Sequence, residues 1–149
     1  MIETGTIVTQ ALSEALETMA FLTILPIDED ILAPEEAILA EMSFTGPKSG
    51  TVQILAGLDF AKILAENIGA LDEVKDENAF DALKELANVI CGLVLPAVAS
   101  SQANVFDVTI PTIKNGDETP SWDQFVDDQA SCVSNIEGFL VATRLIIED

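Results

Sequence analysis

The chain contains no histidine. That gap removes the usual general base, the usual zinc ligand and both common nucleophilic triads, so most hydrolase mechanisms are excluded. Basic side chains are scarce as well: 6 Lys and Arg stand against 26 Asp and Glu, giving a net charge of −20. Such a surface repels nucleic acid and anionic lipid, and leaves a protein partner or a small molecule as the expected ligand. Hydrophobic residues make up 49% of the chain, yet they come in short, interrupted runs, far from the roughly 20 apolar residues of a membrane span. The opening MIETGTIVTQ has neither the basic flank nor the apolar centre of a secretory signal, so a soluble, cytoplasmic protein is expected. Only Cys91 and Cys132 are present, without the spacing of a metal site, and two reduced, buried thiols are expected.

What is present fits one domain. A chain of 149 residues is long enough to bury a single core without disulfides or metal. Helical spacing from Thr6 to Leu25, with Ile7, Ala11, Ala15, Met19 and Leu22 on one side, predicts a first helix ended by Pro26. The acidic run 28–30 and Pro34 predict a loop. Alternation over 38–45 and the run 51–56, parted by GPKSG at 46–50, predict a hairpin. A second helix is expected over 58–68, closed by Gly69. A third is expected from about Glu77 to Ala99, capped by Asp76, with a core stripe of Ala79, Leu83, Leu86, Ile90, Leu93 and Ala97 and with Pro96 bending or ending its last turn. Residues 104–110 read as a strand stopped by Pro111, 112–126 as an irregular loop carrying the only tryptophan, and 130–147 as a closing hairpin.

Setting SEALETMAFLTILP from Ser13 beside DALKELANVICGLVLP from Asp81 aligns Ser13 with Asp81, Glu17 with Glu85 and Ala20 with Asn88. One domain over 1–149 with two pseudo-repeats, at about 5–69 and 76–149, is expected. Its class is α+β: a pseudo-two-fold sandwich with a mostly antiparallel sheet and the long helices on one face.

The third helix carries more than a core stripe. At about 100° per residue, Asp81, Glu85, Asn88 and Gly92 fall within roughly 60° of one another, opposite the Leu83/Leu86/Ile90 side. An amphipathic helix needs a polar face in any case. Asn and Gly are nevertheless poor choices for one, together costing roughly 1 to 1.5 kcal/mol against alanine. A carboxylate and a carboxamide one turn apart can do two jobs: the carboxylate pairs with a cation on a docked partner, and the amide holds a water in fixed orientation. That chemistry is positioning, not nucleophilic attack by the chain itself.

Here the sequence resembles the CheC, CheX and FliY phosphatases of bacterial chemotaxis, CheX most closely. Their signature is Asp or Ser, three residues, Glu, two residues, Asn, twenty-two residues and Pro, which Asp81, Glu85, Asn88 and Pro111 satisfy at every spacing. The resemblance implies the CheC-like fold and, as substrate, the phosphorylated aspartate of CheY or a similar receiver domain. It implies that Glu85 pairs with the receiver's active-site lysine and that Asn88 orients the attacking water. Asp81, Gly92 and Pro111 are then supporting residues. No cofactor is expected on this chain, Mg²⁺ being carried by the receiver. The first repeat keeps Ser13 and Glu17 but has Ala20 in place of the amide and Ser43 at the proline position, so one site per chain is implied.

CheX-type members look like homodimers joined by strand addition, and the apolar segment GFLVATRLIIE reads either as the pairing edge or as an internal strand. A CheD-like regulator is a further possible partner. Two alternatives stand beside the phosphatase: a non-catalytic receiver-binding or flagellar-switch adaptor of the same fold, and an unrelated small-molecule-binding domain.

Overall fold

Period-two patterning builds the middle of the sheet. In the computed structural model, which describes residues 3–69, 73–99 and 105–148, strands β2 (Ala37–Thr45) and β3 (Ser49–Gly57) pair antiparallel with Ala40 opposite Ile54 and Phe44 opposite Gly50. Ser49 and Gly50, expected in the turn, belong to β3. Glycine is required at 50 because a Cβ there would lie 2.5 Å from both the Ile146 carbonyl and the Phe44 ring. The closing hairpin forms as expected, from β6 (Ser131–Ile136) and β7 (Phe139–Glu148). Its two-residue turn puts Glu137 and Gly138 at φ 50° and 104°, the geometry that matches strand twist.

The sheet order is β1-β6-β7-β3-β2-β4, with β5 also on β2, and the pairings are antiparallel. Here β1 is Ile24–Leu25, β4 is Asp107–Val108 and β5 is Thr112–Lys114. Of the two readings of 138–148, the internal one holds for most of the strand: β7 lies between β3 and β6 as far as Arg144, and Leu145–Glu148 are paired with β3 alone. The strand expected over 104–110 shrinks to the two residues of β4, and Asn104 lies outside the described residues. Between β4 and β5, Thr109 bonds Ser43 twice, through its N–H to the Ser43 carbonyl and through its hydroxyl from the Ser43 N–H, both at 2.9 Å. Pro111, with no N–H to offer, sits in that interruption of an edge strand.

Three long helices cover one face. Helix α1 (Thr4–Ala20) buries Val8, Leu12, Leu16 and Ala20 along with Ala11 and Ala15, a stripe turned from the expected one so that Ile7 and Met19 are only half-buried. It stops six residues before Pro26. Phe21 turns left-handed at φ 57°, its N–H returns to the Leu16 carbonyl, and Asn67 Nδ2 donates to the Ala20 carbonyl at 2.9 Å. The chain beyond is claimed by the hairpin: β1 pairs with β6, and Asn135 Nδ2 donates to the Pro26 carbonyl at 2.8 Å. Helix α2 (Leu58–Gly69) buries Phe60, Ala61, Leu64 and Ala65, with Gly69 its last helical residue.

Helix α3 (Asp76–Val98) packs against both α1 and α2. Asp76 is its first helical residue and not its cap; the Lys75 N–H donates to Asn78 Oδ1 instead, at 2.9 Å. Lys62 of α2 pairs with Asp76 at 3.2 Å. The core stripe begins as expected with Ala79, Leu83, Leu86 and Ile90 but ends on Val94 and Val98. Leu93 is half-buried and Ala97 exposed, because a seven-residue repeat drifts about 20° per heptad on a straight helix. Cys91 is buried within this stripe, and desolvation pushes its thiol up from the ordinary value. Cys132, expected to be buried, is only half-buried on β6, its thiol 3.8 Å from the Gly5 carbonyl.

The opposite face of the sheet corrects the reading of 112–126 as an irregular loop. That segment contains β5, a short 3₁₀ turn (Gly116–Glu118) and helix α4 (Trp122–Val126). Ser121 Oγ caps α4 by accepting from the Gln124 N–H at 3.1 Å. Phe125 is buried against Leu39, Leu55 and Ala142, with Trp122 and Val126 around it. Arg144 secures the cover: its guanidinium lies 4.2 Å from the Phe125 ring centroid, while Nε donates to Gln53 and Nη1 to Asp128, each at 2.8 Å. Removing the ring should open a cavity against the sheet, so Phe125→Ala is expected to lower stability by about 3 to 5 kcal/mol in urea denaturation; a loss below about 1 kcal/mol would mean that α4 does not close this face.

Candidate functional site

The buried and exposed sides of α3 are fixed together. With Leu83, Leu86, Ile90 and Val94 all at 0% exposure, the helix cannot rotate without pulling large side chains out of the core. Asp81, Glu85, Asn88 and Gly92 are consequently held outward, and all four are exposed. The ridge read from the sequence is thus brought together on one element. Lys84 Nζ lies 3.5 Å from Asp81 Oδ1, an ion pair at i and i+3 that occupies the flank of the ridge. Both partners are substantially exposed, so the pair adds little stability. Its consequence is local: Asp81 is engaged, whereas among the described residues no ion pair holds the Glu85 carboxylate and no hydrogen bond engages the Asn88 carboxamide.

Pro111 is not on the ridge. It lies half-buried just before β5, which packs beside α3, and so reaches the site only as part of the neighbouring edge. Gly92 is in ordinary helical conformation, and a Cβ there would meet none of the described residues within 4 Å. Pro96, expected to bend or end the last turn, remains inside the helix one turn beyond Gly92.

The equivalent stretch of α1 differs in more than one residue. Glu17 is exposed and Ser13 half-buried, but Ala20 is fully buried at the last turn, its carbonyl taken by Asn67. An amide at position 20 would point into the core.

Chemically the α3 ridge offers an exposed acid and an exposed carboxamide one turn apart. Among the described residues no group of three or more Cys, Asp or Glu side chains is placed to hold a metal ion. An open groove of about 790 Å³ lies elsewhere, between the 30–36 segment, the start of α2 and the β6–β7 turn. It contains none of the ridge residues, and its rim carries Asp30, Glu35, Glu36 and Asp59.

The family model described as chemotaxis phosphatase CheX matches residues 38–132. No curated protein sequence matches the chain. Among solved structures it is similar to the chemotaxis protein CheX of Desulfovibrio desulfuricans, at 18% identity and TM-score 0.73, covering 99% of this chain and 100% of that one. The CheX–CheY complex of Borrelia burgdorferi with BeF₃ and Mg²⁺ gives 17% identity and TM-score 0.68, with 100% of each chain covered. FliY of Thermotoga maritima gives 14% identity and TM-score 0.58, covering 97% of this chain and 86% of that one. These likenesses establish the CheC-like α+β fold.

Proposed function

The chain belongs to the CheX family of chemotaxis phosphatases, and on that footing we propose that its ridge hydrolyses the phospho-aspartate of a CheY-type receiver domain by positioning the attacking water. The observation that carries this reading is the joint exposure of Glu85 and Asn88 on a helix that cannot turn. Glu85 pairs with the receiver's lysine and sets the docking register. The Asn88 carboxamide oxygen accepts a hydrogen bond from water and aims its lone pair at phosphorus. Water oxygen bonds to phosphorus as the bond from phosphorus to the aspartyl oxygen breaks, and the products are inorganic phosphate and a free aspartate.

The leaving carboxylate needs no proton, since its acid has a pKa of about 3.9. A chain without histidine is therefore adequate to this reaction, which demands orientation in place of general acid catalysis. Mg²⁺ bound on the receiver supplies charge neutralisation there. The Borrelia burgdorferi complex, in which a CheX of this fold is joined to CheY, supports the choice of partner. The same reading keeps the chain in the cytoplasm with its receiver; among the described residues no helix is long and apolar enough to cross a membrane.

Added to a Mg²⁺-loaded, phosphorylated CheY-type receiver, the protein should speed loss of phosphate well beyond the spontaneous rate. Asn88→Ala should return decay close to that rate, a loss of at least about 100-fold, as for other positioning groups. Because the side chain is exposed, the same variant should shift the urea unfolding free energy by less than about 0.5 kcal/mol. Decay no faster than spontaneous, or unaffected by Asn88→Ala, rejects the reading; binding without acceleration favours a non-catalytic adaptor.

A homodimer by sheet extension belongs to this proposal, with its ground moved. Since β6 covers β7 as far as Arg144, we place the pairing edge on the outer side of β6, where β1 covers only Asn135 and Ile136 and Val133 is 38% exposed. Light scattering should give twice the chain mass, and Val133→Lys should give one chain mass. A monomeric wild type, or a dimer indifferent to Val133→Lys, contradicts this edge.

A further inference from the structure

Among the described residues nothing requires glycine at position 92. At Gly50 the backbone comes so close to Ile146 and Phe44 that a side chain is impossible, whereas at Gly92 a Cβ would meet none of the described residues within 4 Å. Its backbone is ordinary helix, where glycine is among the least favourable residues. The missing side chain is therefore of use only to something that arrives from outside.

Pro96 adds an independent observation at the same place. Proline brings no N–H, so an α-helix with proline at 96 offers no i+4 donor to the carbonyl of Gly92. Residues 92 and 96 are both exposed and lie about 40° apart around the axis. A backbone acceptor is consequently left outside the helical ladder, and the residue that carries it has no side chain to shield it. The proline ring stands on the axial side of this oxygen, while carbonyls on the solvent side of a helix tilt outward, and that outward side is where a partner's donor would approach. The carbonyl sits one turn beyond Asn88 on the ridge.

Resting on the phosphatase reading, we infer that Gly92 and Pro96 together form a backbone notch, in which the Gly92 carbonyl accepts a hydrogen bond from an N–H of the docked receiver. The glycine lets the receiver's backbone come down onto the helix; the proline denies the acceptor its ladder donor. Glu85 on one side of Asn88 and the notch on the other then fix the amide in register at two points. These contacts hold in ground state and transition state alike, so they act on affinity more than on turnover.

The test uses Gly92→Leu, which fills the notch, and Pro96→Ala, which returns a ladder donor to the Gly92 carbonyl. Wild type and both variants are measured for melting temperature, for affinity to a receiver loaded with beryllofluoride and Mg²⁺, and for decay of the phosphorylated receiver. Both substitutions favour the helix, so both melting temperatures should rise. Affinity should fall about tenfold in each, the scale of one lost interfacial hydrogen bond, while turnover at saturating receiver stays within about twofold. Affinities within about twofold of wild type in both variants would overturn the notch. Loss in Gly92→Leu alone would overturn the carbonyl's part, since clearance would then suffice. A wild type that binds the receiver but fails to speed its decay would reject the phosphatase reading, whereas an active wild type with unshifted variants rejects only the notch.

Discussion

The proposed site depends on how firmly α3 is clamped. A 23-residue helix packed between α1 and α2 and over the sheet buries Ala79, Leu83, Leu86, Ala87, Ile90 and Val94 at 0% exposure. Each such side chain stabilises the bound orientation by roughly 1.5 to 3 kcal/mol when fully buried, alanine less. Rolling the helix by even one residue would exchange several of these for solvent. The ridge of Glu85 and Asn88 is thus the obverse of the core, and its direction is as fixed as the core is.

That arrangement accounts for how so little chemistry on one chain can serve a hydrolase. A phospho-aspartate is a mixed anhydride whose leaving group departs without a proton, so its hydrolysis asks for an oriented water and for charge neutralisation. An amide on a rigid ridge supplies order. Strong acidity elsewhere in the chain, at a net charge of −20, works against approach to an anionic site. The contact surface must therefore be specific at short range, and we assign that task to Glu85, Lys84 and the Gly92 backbone.

The parts of the fold legible in the sequence are those with a period to read. Both long hairpins, α2 and most of α3 follow from alternation or from 3.6-residue spacing, and the ridge follows from α3. The losses have physical causes. Phe21 ends α1 in a left-handed conformation normally signalled by glycine, so nothing local forecasts that residues 24 and 25 leave the helix to pair with β6. The strands β4 and β5 are too short to show alternation. Phe125 is buried only because Leu39, Leu55 and Ala142 meet it from distant strands, although Ser121 followed three residues later by Gln124 is a capping signal that would have marked α4. The strand order sets β1 on β6 and both β4 and β5 on β2, so each short strand pairs with an element distant in sequence. It also explains why helical spacing alone could not divide α1 from β1.

Separation of docking from chemistry is the property most particular to this account. Titration of Asn88→Ala against a receiver loaded with beryllofluoride and Mg²⁺ measures it directly, set beside the variant's rate on the phosphorylated receiver. The account predicts a dissociation constant within about threefold of the wild-type value although acceleration is lost, because the amide contacts water and not the receiver. Affinity that falls in step with the rate would contradict it, and would make Asn88 a docking residue.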